Sequence, residues 1–290
     1  MGDSRNMKDT VNKMMHTVKF FKTMLVVNLV NNMQYKINFL MSLLINLFSS
    51  AVLILFYLFV FDLFQDIQGW DKMNALLLSG TYITISSFYI GFAFHSLSML
   101  PSYIVTGELD GYLIRPVNTR LYLSTRQIDY GSILSGIIGL GFTFFIAIKY
   151  QINLPTLAVI QYLLFNFFAF LFLSDVIFIL MCLGFWFGDV GSARDWFAQI
   201  IEFGNRPSFI YPKILKIIFY FFFPILLLGN IPLNFLISKS SNFSYLVIVS
   251  ILCFHLISRL IWKAGLKRYS SAEIDYLYSK ARFINYIFYC

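Results

Sequence analysis

Six long apolar runs constrain this chain more than any other feature of its sequence. They cover approximately residues 39–61, 75–100, 131–149, 156–187, 213–237 and 245–262. About 20 helical residues cross the hydrocarbon core of a bilayer. Five runs therefore fit a membrane span, and 156–187 is long enough to tilt or project beyond it. Charged residues make up 12% of the chain, against about 25% in soluble domains. The sequence predicts an all-α membrane protein with six transmembrane helices.

The basic residues are divided unevenly between the two ends of these spans. Lys72, Lys149 and Lys239 fall on one side, and the other nineteen of the 22 lysines and arginines fall on the opposite side. Loops rich in Lys and Arg stay in the cytoplasm. The count predicts that both termini are cytoplasmic.

The two ends of the chain have their own patterns. Residues 1–36 carry apolar side chains at three- and four-residue steps with lysines between them. This spacing predicts an amphipathic helix in the headgroup region; a solvated basic tail is the alternative. The spans occupy 37–263. The cytoplasmic tail 264–290 alternates basic and aromatic residues, which directly after a span favours contact with anionic lipid over nucleic acid.

A polar island at 106–117 separates the second and third runs. It contains Glu108, Asp110 and Arg115 and ends at Pro116, which stops helices. Each charge would cost about 2.5 to 3.5 kcal/mol at the bilayer centre, so the island must lie at a membrane surface. An ordinary loop in which acids and arginines pair with each other fits the charge pattern equally well.

Two features inside the apolar runs have alternative interpretations. Asp175 is the ionisable residue deep in the fourth run, which predicts a proton, cation or basic-substrate site. A structural bond from Asp175 to a hydroxyl or backbone group of a neighbouring helix is the alternative. The glycines of the third run indicate close helix packing, either within the subunit or at a dimer seam. They are Gly131, Gly136, Gly139 and Gly141.

The sequence lacks the motifs of several classes of enzyme and metal site. The chain has no Gly-x-x-x-x-Gly-Lys-Ser/Thr loop, so it is not expected to hydrolyse ATP. His16, His95 and His255 stand apart in sequence, and no three residues have metal-ligand spacing. We therefore expect no catalytic residue, no metal site and no cofactor bound by this chain. An intramembrane enzyme acting on lipid is disfavoured for the same reason.

The island resembles the membrane subunit of type-2 ABC exporters, and more narrowly a bacterial permease group of uncharacterised or drug-export function. The resemblance implies a cytoplasmic coupling helix within 101–120 that docks on a separate ATPase subunit, which binds ATP and magnesium. It also implies a second permease subunit, identical or related, and a multi-pass location in a bacterial cell membrane. The residues that match the pattern or are implied in coupling are Gly107, Glu108, Leu109, Asp110, Leu113, Arg115 and Pro116.

The resemblance and the hydropathy disagree on the fifth span. Hydropathy places it at 213–237, whereas the resemblance places it at roughly 190–210 and makes 207–237 a re-entrant region dipping in from outside. The second version moves Lys213 and Lys216 outside. It weakens the charge asymmetry to seventeen against five. We favour it slightly.

Two function classes follow. The leading hypothesis is an ATP-driven exporter subunit that moves an amphiphile, such as a drug, an antimicrobial peptide or a lipid. The alternative is an ion-coupled secondary carrier or channel that uses Asp175, which internal symmetry between the two halves would favour. The halves have no convincing symmetry.

Overall fold

The structure is a computed structural model that describes residues 19–30, 32, 34, 36–64, 66–237 and 244–288. The side chains of 221, 222, 244–246 and 270–288 lie outside that description. Of the expected amphipathic helix 1–36, residues 1–18 therefore fall outside the described residues. Residues 19–30 are helical.

Helices make up almost all of the described chain. In order they are α1 Lys36–Leu63, α2 Lys72–Tyr89, α3 His95–Ser98, α4 Leu100–Thr106, α5 Asp110–Leu113, α6 Thr119–Ser124, α7 Tyr130–Lys149, α8 Thr156–Cys182, α9 Gly184–Phe187, α10 Gly191–Ile201, α11 Lys213–Ile217, α12 Asn230–Leu236 and α13 Ser244–Phe288. The strands β1 Asp66–Ile67 and β2 Trp70–Asp71 pair antiparallel between α1 and α2. The π-helical segments are Ile90–Phe94 and Ile218–Phe222. The 3-10 turns are Glu202–Asn205, Ser208–Ile210 and Ile225–Leu228.

Five described helical stretches are long and apolar enough to cross a membrane. They are Lys36–Leu63, Lys72–Thr106, Tyr130–Lys149, Thr156–Phe187 and Val247–Tyr269. These stretches coincide with five of the six apolar runs, so the prediction of a helical multi-pass membrane protein is confirmed. The count of six spans is not confirmed by these five.

The region 188–237 breaks into short pieces, and proline is the main local reason. Pro207, Pro212 and Pro224 lack the backbone N–H that a helix interior needs, and each lies between two short helical pieces. The apolar run 213–237 is accordingly divided among α11, a π-helical turn, a 3-10 turn and α12. It does not form the single long helix that hydropathy led us to expect.

The two ends of the segment 184–205 contact different helices. At its start, Gly184 packs so closely on α4 that a Cβ there would lie 3.2 Å from the Pro101 Cα. At its end, the Tyr57 hydroxyl donates to the Asn205 carbonyl at 2.6 Å, near the β-hairpin. The helix between these ends, α10, has 11 residues. A helix of this length is shorter than the about 20 residues that cross the hydrocarbon core of a bilayer.

The core is built around α8. This helix is apolar on every face, as expected for a buried helix. It packs against α2, α12 and α13. Its side chains Tyr162, Phe172 and Phe178 are all less than 2% exposed. By contrast, α1 is mostly exposed along its length, so its apolar face is left for lipid or a partner.

The glycines of α7 serve packing within the subunit. A Cβ on Gly131 would lie 2.9 Å from the Leu43 backbone nitrogen of α1, and one on Gly139 would lie 3.1 Å from the Thr84 nitrogen of α2. Gly136 faces the Phe88 ring. Small residues allow such approach in lipid, where no hydrophobic force draws helices together. Gly141 has nothing within 4 Å.

The last span and the expected tail form one helix. α13 continues for 45 residues to Phe288, a length of about 68 Å at 1.5 Å per residue. Residues 264–288 of the expected tail therefore continue the helix of the last span. Its expected contact with lipid falls on side chains that lie largely outside the described residues.

The close approach at Gly131 gives a first prediction. We expect Gly131→Ala to destabilise the bundle by about 1 to 3 kcal/mol, because the new methyl group meets backbone atoms that cannot rotate away. Gly141→Ala is the matched control on the same helix, where the methyl group enters open space. Thermal unfolding of both variants in detergent measures the difference. Equal unfolding temperatures would show that α1 and α7 are not in contact at Gly131.

Candidate functional site

The polar island forms a turn and a short surface helix. Gly107 ends α4 with a φ of +77°, in the left-handed region that glycine adopts without strain. The Leu109 N–H then donates to the Tyr103 carbonyl at 3.0 Å. A single helical turn, α5, follows from Asp110 to Leu113. The role of this turn as a coupling helix that docks on an ATPase stays a prediction.

The residues expected to couple to the ATPase differ in exposure. Gly107, Glu108, Asp110, Arg115 and Pro116 are exposed, and Leu113 is half-buried. Leu109, by contrast, is fully buried in the chain's own core. It therefore anchors the island from beneath, and it is not available as a docking contact.

The acids of the island do not pair with its arginine. Within the described part of the chain, Glu108 and Asp110 make no ion pair. Arg115 instead lies 4.8 Å from the centre of the Tyr122 ring and donates to the Tyr122 hydroxyl at 2.6 Å. The internally paired loop considered from the charge pattern is not what forms.

Contacts between tilted aromatic rings fix the island to its neighbours. The rings of Tyr103 and Tyr112 are 5.1 Å apart, and those of Tyr112 and Tyr122 are 5.5 Å apart. The Arg126 guanidinium lies 4.9 Å from the centres of both the Tyr103 and Tyr112 rings. Such ring and cation–π contacts each contribute about 0.5 to 1.5 kcal/mol. These contacts join α4, α5 and α6 into one unit.

The N-terminal segment 19–30 and Asn32 pack on the chain that follows the island. The side-chain amides of Asn28 and Asn32 donate to the carbonyls of Thr125 and Ile128 at 3.1 and 3.0 Å. The opposite side of this segment is apolar and exposed, as an interfacial helix requires. The exposed residues are Leu25, Val26, Val27, Leu29 and Val30.

A buried polar cluster lies inward of α6. Asp175 on α8 is 1% exposed and forms an ion pair with Arg120 of α6. Ser258 Oγ on α13 donates to Asp175 Oδ1 at 2.8 Å, and His255 Nδ1 lies 3.2 Å from Oδ2. The Arg120 guanidinium also rests on the Phe178 ring, 4.5 Å from its centre. Three separate elements therefore meet at one carboxylate.

The cluster corrects one interpretation of the sequence. We treated His255 as standing apart from other ionisable residues, but it contacts Asp175, as Arg120 does. Asp175 also has the bond to a neighbouring helix's hydroxyl that was the structural alternative. A buried carboxylate requires such partners, because its desolvation is otherwise too costly. The spacing of His255 and Ser258, three residues apart on one helical face, was the available signal.

A cavity of about 1000 Å³ adjoins the cluster. It lies among α2, α6, α8 and α13, with Leu140 of α7 at one side. Charged residues line one part of it: Arg120, Asp175, His255 and Arg259. Apolar side chains line much of the rest, among them Phe88, Phe92, Leu163, Phe167, Phe170 and Leu171.

The buried ion pair gives a second prediction. Arg120→Gln leaves the Asp175 carboxylate without its cation, so we expect a loss of about 3 to 5 kcal/mol in stability. The double variant Arg120→Gln with Asp175→Asn should lose less than the sum of the two single variants. The control is Lys72→Gln, which breaks the exposed Lys72–Asp62 pair beside the β-hairpin and should leave the unfolding temperature nearly unchanged. Strictly additive losses in thermal unfolding would argue against the pair.

Comparison with protein families accounts for most of the chain. The model of the ABC-2 family transporter proteins matches residues 47–273. This range includes the island, Asp175 and all the helices of the cluster. No match is found among curated proteins. The chain therefore belongs to the ABC-2 family transporter proteins, which are the multi-pass permease components of ABC transporters and work with an ABC ATPase subunit.

Proposed function

We propose that this chain is the membrane half of an ATP-driven exporter in a bacterial cell membrane. Two permease subunits, identical or related, would enclose the pathway, and a separate ATPase subunit with its magnesium would hydrolyse ATP. The cargo is an amphiphile, a class that includes drugs, antimicrobial peptides and lipids.

One observation carries the proposal. The surface island is continuous with α6, and α6 places Arg120 on the buried Asp175 of α8. Ser258 ties the same carboxylate to α13. A push on the island is therefore applied to two membrane-crossing helices through an ion pair whose separation is costly.

The exposed acids of the island provide the docking surface. Glu108 and Asp110 point outward with no ion-pair partner in the described chain, so they are available to a basic or hydrogen-bonding surface of the ATPase. The burial of Leu109 and the contacts among the rings of Tyr103, Tyr112 and Tyr122 attach the island to the bundle, so that the two move together. Closure of the ATPases would shift the island and the bundle between two packed arrangements.

No observation favours the ion-coupled carrier. A coupling carboxylate must exchange its ion, but Asp175 is 1% exposed and surrounded by Arg120, Ser258 and His255. An entering cation would have to displace Arg120 first. The cluster therefore supports a structural link better than an ion site.

We also propose six crossings, with 188–205 as a short fifth crossing and 207–237 re-entering from outside. The Asn230 side chain accepts from the Ser208 N–H at 2.8 Å and donates to the Arg206 carbonyl at 3.0 Å. These two bonds hold the beginning of the proposed re-entrant region against α12. Between Ser208 and Asn230, Phe223 reaches the Phe172 ring of α8 at 5.7 Å. Re-entrant backbone is tolerated where protein buries it, and residues 225–228 are at most 2% exposed. Both termini would be cytoplasmic.

The docking surface gives a third prediction. The double variant Glu108→Lys and Asp110→Lys should reduce co-purification with the ATPase, and its stimulated ATP hydrolysis, by about tenfold or more, because loss of about 1.4 kcal/mol of binding is already tenfold. Folding should be unchanged, since both acids are exposed. Asp66→Lys, in the hairpin at the other end of the bundle, is the control and should retain full coupling. Normal stimulation in the double variant would refute docking at the island.

The proposed topology gives a fourth prediction. In a chain whose native cysteines are replaced by serine, Lys213→Cys should react in intact cells with a membrane-impermeant maleimide, as Lys72→Cys should. Arg115→Cys should react only after permeabilisation. If Lys213→Cys instead reacted only after permeabilisation, residue 213 would lie in the cytoplasm and the re-entrant path would be excluded.

A further inference from the structure

The cavity beside Asp175 has a charge balance that points to one class of cargo. Its described lining contains two arginines, Arg120 and Arg259, and a single carboxylate, Asp175. Asp175 is already bound by Arg120, Ser258 and His255. The lining therefore has an excess of positive charge whether His255 is neutral or protonated, and it has no unoccupied acid for a cationic drug.

Arg259 is the cation best placed to receive a ligand. It is exposed, lines the cavity and makes no ion pair with a described residue. Arg120, in comparison, has its guanidinium held by Asp175, by Ser258 and by the Phe178 ring. Arginine binds carboxylate and phosphate groups through paired N–H donors.

The apolar part of the cavity fits a hydrocarbon body. Its lining on α8 extends from Leu163 to Phe178, a distance of about 22 Å along a helix. The lining near Leu163 is apolar except for Asn166, and the charged residues gather at the end near α6. Leu163 and Phe167 are also 43% and 55% exposed, so the cavity opens sideways along the bundle. This is the arrangement of a site for a molecule with one polar head and one long apolar part.

We propose that the cavity binds an anionic amphiphile, with a carboxylate or phosphate head at Arg259 and Arg120 and its apolar body along α8. This assignment rests on the proposed export function only in identifying the bound molecule as cargo. A fatty-acid-like molecule and an anionic phospholipid share this chemistry.

The test is a binding titration of the purified full chain in neutral detergent. The probes are 11-(dansylamino)undecanoate and a trimethylammonium compound with the same dansyl tail. We expect the anionic probe to bind about tenfold more tightly, the effect of about 1.4 kcal/mol from one charge-assisted contact. Arg259→Gln should remove most of this preference and Arg259→Glu should reverse it. Lys263→Gln, a basic residue on the same helix outside the cavity lining, should leave it intact.

A competition experiment with phospholipids distinguishes a membrane lipid from a free amphiphile as the natural ligand. Displacement of the probe by phosphatidylglycerol, but not by phosphatidylcholine, would identify a membrane lipid; resistance to both would identify a free amphiphile, and both results support the proposal. Equal binding of the two probes, or equal losses in Arg259→Gln and Lys263→Gln, would overturn it. Because the titration needs no ATPase, a chain that keeps the anionic preference but stimulates no ATP hydrolysis would contradict the export function alone.

Discussion

The carboxylate of Asp175 is the constraint on which the rest of this structure depends. An ionised group that is 1% exposed in an apolar helix is stable only with cations and hydrogen-bond donors around it. The chain supplies them from α6 and α13, two elements far apart in sequence. The need to satisfy one charge thus fixes where the surface segment meets the bundle, and it explains why α6 turns back toward the spans immediately after the island.

The Arg120–Asp175 contact connects the two parts of the proposed export function, which are coupling to the ATPase and binding of the cargo. Arg120 belongs to the segment in which we expect the ATPase to act, and it also lines the cavity in which we expect the cargo to lie. Movement of the island would change the position of Arg120 and therefore the shape and charge of the cavity. In the proposed exporter, this contact would couple ATP hydrolysis in the partner subunit to movement of the cargo.

Sequence reasoning recovered what periodicity and length determine. The apolar runs predicted six membrane-spanning helices, and five described helices have the length and composition of a span. The charges of Glu108, Asp110 and Arg115 required the island to lie outside the hydrocarbon. It did not find the partners of Asp175, because Arg120 and His255 lie 55 and 80 residues away and no local pattern connects them. It also treated Leu109 as a docking residue, since burial by tertiary packing is invisible in a twelve-residue motif. Hydropathy did not predict the short helical pieces of 188–237, because a hydropathy average does not register the break that Pro224 makes in the apolar run.

The central claim is that the island and the buried cluster move as one body. Double electron–electron resonance between spin labels in the assembled transporter tests it directly, with one label at the exposed Ile114 of the island and the other at either Ile257 beside the cluster or Ile45 on α1. Vanadate trapping of the ATPase should leave the distance from 114 to 257 unchanged while the distance from 114 to 45 shifts. A change between 114 and 257 as large as that between 114 and 45 would contradict the account, because the island would then move independently of the helices that Asp175 holds.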